Sequence, residues 1–475
     1  MENQQIVGEF FSGRADRPTL GLVYGRRRIG KSTLLAGEAA RGGGFYFEAT
    51  RVETRLQLER LGTALGEHLG VGRIALDSWD TAIEALLRLG NERPIPVVLD
   101  EFGHVLEADA SVDSVLAAAF GPGARRTRGG QARFVLCGSA VAMMRALTAG
   151  EAPLRGRAGM ELVMHADDFR RAASRLRDPT DLDTAVRVFA VIGGVVGYAT
   201  DMVDFDLPDG FDDVDRWIVR RVLSPGATLR NEATTLLAED PTLSGRGSLL
   251  HHSILGAIAN GAVTAGTIAN RLGKRVSNLA PALNRLVDAG FVSRVEDPLR
   301  DQRPLYTLDD PFLQFHYAIL EPHAATLRDR DPMTAWTNRL VATFDSQVRG
   351  PVFESQARLW ARRFADVATL GGDGPIGPSH VAIDGVEHEL DVVVAAPGPV
   401  PAERSIAAIG EAKAGERLTL SHLNRLERAR AAFGTRAVGA KLLLFGTRVD
   451  RPLRDVAANR SDVEIVDLER LYRGT

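Results

Sequence analysis

Thr19-Leu20-Gly21-Leu22-Val23-Tyr24 runs directly into Gly25-Arg26-Arg27-Arg28-Ile29-Gly30-Lys31-Ser32-Thr33-Leu34-Leu35-Ala36. The first six residues read as a short apolar strand, and the last few as the opening of a helix. Between them stands G-x-x-x-x-G-K-[ST], the phosphate-binding loop, in the strand–loop–helix setting it requires. Gly25 and Gly30 allow backbone turns tight enough for N–H groups to face phosphate oxygens. The helix beginning near Lys31 adds the positive end of its dipole. Lys31 is expected to reach the β- and γ-phosphates of ATP as a point charge, and Ser32 to coordinate Mg2+. Arg26, Arg27, Arg28, Ile29 and Thr33 complete the expected nucleotide-binding stretch.

Two further apolar runs fit the same sheet. Ile95-Pro96-Val97-Val98-Leu99 ends in Asp100-Glu101. Such a run is a buried parallel strand, and its carboxylates stand at the strand end where open α/β sheets bind ligands. Asp100 suits a role in holding Mg2+ through water, and Glu101 one in orienting or deprotonating the attacking water. Arg133-Phe134-Val135-Leu136-Cys137 reads as another strand, with Gly138-Ser139 at its tip. Ser139 is a candidate γ-phosphate sensor there, and a plain turn serine is the competing reading. Cys137 reads as a small buried hydrophobe.

Composition narrows the classes. The chain has 475 residues, 45% hydrophobic and 25% charged, with a net charge of −3. That is an ordinary globular composition, with length for roughly two to four domains. A single cysteine excludes a disulfide framework and a one-chain cysteine zinc site. The N-terminus lacks a basic segment followed by an apolar core, and no run of about 18 apolar residues occurs. The expectation is a cytoplasmic protein with no membrane partner. Of 58 Lys and Arg residues four are lysines (Lys31, Lys274, Lys413, Lys441), which leaves 54 arginines. Where arginine is the default cation, a retained lysine points to chemistry that needs a compact ammonium.

The expected architecture is α/β and multidomain. Residues 1–164 read as a P-loop NTPase core with a parallel sheet, and 165–245 as a polar helical lid. Residues 246–325 read as a winged helix-turn-helix. Ile254, Leu255, Ile258 and Ala259 mark one helix, and Thr264 caps a second through Leu272. Gly273 ends that helix. A third opens at Ser277 and runs through Leu279, Leu283, Leu286 and Val287, and a hairpin at 291–295 and 304–308 forms the wing. Ser277, Asn278 and Asn284 lie on the expected recognition helix. Residues 262–303 carry seven Lys/Arg and four Asp/Glu. That modest excess leaves both direct DNA contact and a purely structural arm open.

Residues 326–475 read as a linker helix and a restriction-endonuclease-like α/β domain. Glu354 lies on a helix, Asp391 in a strand, and Glu411-Ala412-Lys413 in a second strand after a Pro-rich turn. Glu411 and Lys413, two apart, project from one strand face. A hairpin brings Asp391 beside them, giving the D…ExK pattern. Asp391 and Glu411, with Glu354 as a further acid, form a hard-oxygen site for Mg2+. Lys413 would hold the nucleophile or offset developing charge. A fold that binds without cutting is the alternative. His104, His165 and His422 sit at no metal-ligand spacing.

Tyr24–Ser32, Leu99-Asp100-Glu101-Phe102, Leu136-Cys137-Gly138-Ser139, Ala152–Arg157 and Gly193–Tyr198 together resemble the archaeal-type ATPases. These belong to the STAND class of AAA+-like P-loop NTPases. Arg155 stands where that family often has an aromatic, and Val196 where it usually has proline. The resemblance extends to Asp309–Tyr317, the family's usual exit sequence, with His316 in place of a frequent tryptophan. It implies an ATP- and Mg2+-dependent switch ATPase with a winged helix and a C-terminal PD-(D/E)xK nuclease-like domain. It implies nucleic acid, chiefly DNA, as partner, and leaves a homo-oligomer open. By resemblance Arg157 is a candidate sensor arginine, against the plain reading of one solvated arginine among many.

Overall fold

A computed structural model describes residues 2–13, 15–121, 123–124, 130–240, 242–245, 247–301 and 303–475. Met1 and Arg246, which open the expected ATPase and winged-helix segments, lie outside the described residues. The chain packs as two compact units. The first runs to Ala166 and adds Glu239–Ser244 and Asp288–Gly290. The second holds Asp167–Ala238, Gly245–Val287 and Phe291–Thr475. The segments expected as lid, winged helix and C-terminal domain therefore pack largely with one another.

The first unit is built on β1 (Thr19–Tyr24), β2 (Phe45–Glu48), β3 (Ile95–Asp100), β4 (Ala132–Gly138) and β5 (Ala158–Val163). All are parallel, in the order β2-β3-β4-β1-β5. β3 and β4 are buried along their whole length. They read as continuous apolar runs because helices cover both faces. On one face Leu22, Val97, Leu99 and Leu136 pack with Leu58, Leu61, Leu65 and Leu86 of helices Thr54–Leu69 and Trp79–Arg88. On the other, Val23, Val98, Val135 and Cys137 pack with Val7 and Leu35 of helices Glu2–Phe11 and Lys31–Arg41. Each such aliphatic side chain contributes about 1.5–3 kcal/mol on burial. The two edge strands have no such signature. β2 is four residues long, and β5 has only Leu162 buried.

In the second unit, helices Phe169–Ala173 and Leu182–Ile192 are capped by Asp168 and Asp181, whose carboxylates accept from the Arg171 and Thr184 amides. Leu182–Ile192 is buried at most positions, so this part of the expected polar segment is a core element. The segment expected as a winged helix forms helices Ser248–Ala259, Ala265–Arg271 and Val276–Asp288, with β6 (Val292–Val295) and β7 (Leu305–Leu308) antiparallel after them. Thr264 and Thr267 form a reciprocal capping box at the second helix. The third helix starts one residue before Ser277.

The C-terminal part opens with helix Gly350–Arg363. A five-stranded mixed sheet follows: β8 (Ile376–Ile383), β9 (Val386–Ala395), β10 (Ile406–Leu418), β11 (Lys441–Val449) and β12 (Val463–Val466). Its order is β12-β11-β10-β9-β8. β8, β9 and β10 are antiparallel, and β10, β11 and β12 parallel. The expected hairpin of two strands is thus a three-stranded meander, with β8 the added strand. The wing joins this sheet. Leu299 lies in its core with Val381 and Leu390. Arg300 donates to Glu387 Oε1 at 3.0 Å and to the His380 carbonyl at 3.1 Å, and Arg404 donates to the Pro298 carbonyl at 3.0 Å.

Candidate nucleotide and metal sites

β1 ends at Tyr24, and the loop to Lys31 turns sharply. Arg28 (φ 64°) and Gly30 (φ 92°) take left-handed conformations. At Gly25 a Cβ would clash with the Met164 carbonyl oxygen, so only glycine fits. Helix Lys31–Arg41 starts immediately after Gly30. Its first amides and its dipole therefore face the loop. Lys31 is only 5% exposed, and its Nζ donates to the Arg26 carbonyl at 2.8 Å. Burial pulls its pKa down, while Cys137, Glu101 and Asp100 pull it back up. Ser32 and Thr33 are exposed, Ile29 is buried, and Arg27 is ion-paired with Glu239 of the same unit.

The strand order places β4 between β1 and β3, so the ends of all three strands meet the loop. Asp100, fully buried at the end of β3, accepts from Tyr46 Oη at 2.6 Å and from the Glu101 amide at 2.8 Å. Burial pushes its carboxyl up, but hydrogen bonds from Cys137, Ser32 and Tyr46 outweigh it and hold the group below the ordinary range. Asp100 is therefore charged at neutral pH, and the loop hydroxyl of Ser32 is close enough to help hold its pKa down. Glu101 is a non-glycine residue at φ 48°. Such a conformation costs about 1–3 kcal/mol and persists only where the surroundings impose it. The Glu101 carboxylate meets the tip of β4, where Ser139 Oγ donates to Glu101 Oε2 at 2.9 Å. Lys31, Ser32, Asp100, Glu101 and Ser139 thus converge. Tyr46, on the short edge strand β2, joins them; nothing in the sequence marks that strand.

Arg157 does not join them. It precedes Ala158, which pairs with Leu20 near the start of β1, whereas the loop follows Tyr24. Those strand ends are separated by roughly 13 Å of extended chain. Arg157 instead lies close to Gly121, where a Cβ would stand 2.9 Å from its Nη1. Spacing in sequence does not tell which end of β5 the arginine occupies.

The second constellation sits on β9, β10 and helix Gly350–Arg363. Oxygens of Glu354, Glu389 and Asp391 lie within 4.8 Å of one another. Among the described residues this is the one group of three or more potential metal-ligating side chains that meets so closely. Burial, with Glu354 beside it, pushes Asp391 up to about 8. Burial raises Glu354 as well. Asp391 Oδ2 accepts from the Ala412 amide at 2.7 Å, which ties β9 to the middle of the Glu411-Ala412-Lys413 stretch. Lys413 Nζ lies 3.3 Å from Glu411 Oε1, and Asp391, Glu411 and Glu354 raise the Lys413 pKa against its own burial.

Glu411 departs from the expected arrangement. It does not belong to the three-acid group. Its Oε1 accepts from Arg425 at 2.7 Å, and its buried Oε2 has no hydrogen-bond partner. Glu389 takes its place in the cluster. It stands two residues before Asp391 on β9, a position that exposed strand glutamates commonly fill without a role. The donor set fits a divalent cation: three acids crowd together, burial and the neighbouring Glu354 raise the pKa of Asp391 so that a cation would relieve the clustered charge, and Glu411 keeps a buried oxygen unsatisfied.

On the third helix of the winged-helix segment and the turn before it, Lys274, Arg275, Ser277, Asn278, Asn284 and Arg285 lie on the outer side, while Leu279, Leu283 and Leu286 face inward. None of the helices among the described residues is long and apolar enough to cross a membrane.

Residues 247–303 match the MarR family. The Walker-type ATPase PABY2304 of Pyrococcus abyssi is structurally similar at a TM-score of 0.50 and 19% identity. That match covers 67% of this chain and 95% of the other. The ORC2 protein of Aeropyrum pernix aligns at 16% identity and a TM-score of 0.41, over 69% of this chain and 93% of that one. The uncharacterized protein MJECL04 of Methanocaldococcus jannaschii is 22% identical over 315 residues, 65% of either chain. The match thus spans just under two thirds of that relative. At these identities the structural likeness to the P. abyssi protein shows a shared fold.

Proposed function

We propose that this chain is an Mg2+-dependent, ATP-hydrolysing switch that acts on DNA. The observation that carries this reading is the convergence of Lys31, Ser32, Asp100, Glu101 and Ser139 where β1, β3 and β4 end. Lys31 exchanges the Arg26 carbonyl for the β- and γ-phosphates. Ser32 and Asp100, which stand close together, would hold Mg2+ in the pattern of P-loop sites, and the ion would supply neutralisation of phosphate charge. Glu101 takes the proton of the attacking water, and Ser139 fixes its carboxylate. The fold shared with the P. abyssi ATPase and the MarR-type segment support ATP and DNA as the two partners. Glu101→Gln should bind ATP like the wild type and lose turnover by about 100-fold or more. Turnover equal to wild type would remove Glu101 from the chemistry.

For the C-terminal domain we infer a metal-dependent nuclease centre. Glu354, Glu389 and Asp391 would hold the cation, with Glu411 a further ligand once released from Arg425. The cation supplies water activation and phosphodiester polarisation. Lys413 offsets charge that develops on the phosphate. A domain that binds nucleic acid or a protein partner without cutting is the second reading, and the Arg425–Glu411 ion pair favours it. Incubation with DNA or RNA, Mg2+ or Mn2+ and ATP decides between them. Cleavage lost in Lys413→Ala supports the nuclease, and equal residual cleavage in both proteins removes it.

A further inference from the structure

Beyond Lys413, β10 does not stay in register with β11. Lys413 pairs with Gly446, but Arg417 pairs with Arg448, so β10 bulges between them. Paired residues of parallel strands point to the same side, so the Arg417 and Arg448 side chains leave the sheet on one side. Arg448, two residues beyond Gly446, shares the sheet face of Lys413. Like charges at such positions destabilise a sheet. Both arginines are exposed, and among the described residues neither has an ion-pair or hydrogen-bond partner on its side chain. Other arginines of the domain, such as Arg425, Arg430, Arg454 and Arg460, are paired with acids. The acid nearest in the bulge, Glu416, meets His422 at 3.4 Å.

A third arginine joins them. Arg349 precedes helix Gly350–Arg363, and a Cβ on Gly415 would stand 3.0 Å from its Nη2. Its guanidinium therefore lies over the bulge itself. Arg349 pairs with the half-exposed Asp345 at 3.2 Å, and its buried Nε has no partner. Burial lowers its pKa, Asp345 and Asp183 oppose that, and Arg187 and Arg448 lower it further. The influence of Arg448 puts that residue within electrostatic reach of Arg349. Arg187 itself is engaged with Asp215. Measured along β11, the Arg417–Arg448 pair lies two residues past the Lys413 level, about 7 Å.

We propose that Arg349, Arg417 and Arg448 bind the phosphodiester backbone of a DNA strand and lead it to the carboxylate cluster of Glu354, Glu389 and Asp391. This deepens the nuclease reading and rests on it for the direction of the strand. The chemistry is that of Arg–phosphate pairing: planar forks, with an excess of positive charge that an anion relieves. Gly415, within the bulge, puts no side chain of its own against Arg349.

The test is binding of a short fluorescein-labelled DNA single strand to the full chain in EDTA, followed by anisotropy over a range of NaCl concentrations. The Arg417→Ala/Arg448→Ala variant should bind roughly tenfold more weakly, with a log–log salt slope shallower by about 1 or more. Arg448→Gln alone should show part of the effect, and its exposed position guards against misfolding. Arg451→Ala, which removes an exposed arginine elsewhere in the domain, should bind like wild type. Affinity and slope unchanged in both arginine-pair variants, or an equal loss in Arg451→Ala, would overturn the proposal. So would full displacement of the strand by inorganic phosphate at matched ionic strength, which would mark a small-anion site. If arginine-dependent binding is seen but wild type cleaves nothing with Mg2+ or Mn2+, the nuclease reading falls while the strand site stands.

Discussion

Burial raises the Asp391 carboxyl to about 8, so the folded state holds a proton there at pH values where the unfolded chain has lost it. Folding stability therefore falls as pH rises from the ordinary carboxylate range toward 8. Removing the titration should help: Asp391→Asn should melt above wild type at pH 8, with little difference near pH 4. Mn2+ or Mg2+ at pH 8 should raise the melting temperature of wild type and leave that of Asp391→Asn nearly unchanged. A pH-independent gap between the two proteins would contradict the burial argument. Residues are legible in the sequence where chemistry fixes their identity locally, as at Gly25, Lys31, Ser32 and the Asp100-Glu101 pair. Glu389 and Tyr46 are not, because each becomes significant only when a second element arrives beside it. The left-handed backbone of Glu101 is equally hidden, since nothing in the residue type demands it.

Among the elements, the wing departs furthest from expectation. Its tip, Asp297 to Arg300, packs on β8 and β9, with Asp297 and Leu299 buried. A wing held this way is not free to enter a DNA groove, so on the proposed function DNA reading would fall to the outer face of helix Val276–Asp288. Asn278→Ala and Asn284→Ala should each weaken preference for a specific duplex by about 1–3 kcal/mol, while Arg300→Ala should leave it nearly unchanged. A wing substitution with the larger effect on sequence preference, measured by competition against random duplex, would reverse this assignment. Gly377 holds the contact: a Cβ there would clash with the Glu296 carbonyl oxygen. Gly377→Val should therefore lower stability by about 1–3 kcal/mol in urea melts, and a neutral result would show that the wing yields easily. Helical periodicity and the Thr264 cap make the winged helix readable from sequence. The edge strands β2, β5 and β8 are not, because exposed faces relax the apolar pattern. The position of Arg157 in the chain likewise does not reveal its end of the sheet.

Across the whole molecule, the phosphate-loop site lies in one compact unit, and the expected DNA-reading helix and the acid cluster lie in the other. The chain passes from one unit to the other near Ala166, Glu239 and Asp288. An ATP-driven switch would act through those crossings. ATP should then change DNA binding or cleavage in wild type and in Glu101→Gln, which holds ATP without turnover. Everything in this scheme depends on nucleotide binding at the loop that opens helix Lys31–Arg41. Calorimetric titration of Mg-ATP into wild type and Lys31→Ala measures it directly. Saturable one-site binding to wild type and no detectable heat with Lys31→Ala at the same concentrations are expected, with both proteins equally folded. Binding of ATP to Lys31→Ala at the wild-type affinity would contradict that expectation.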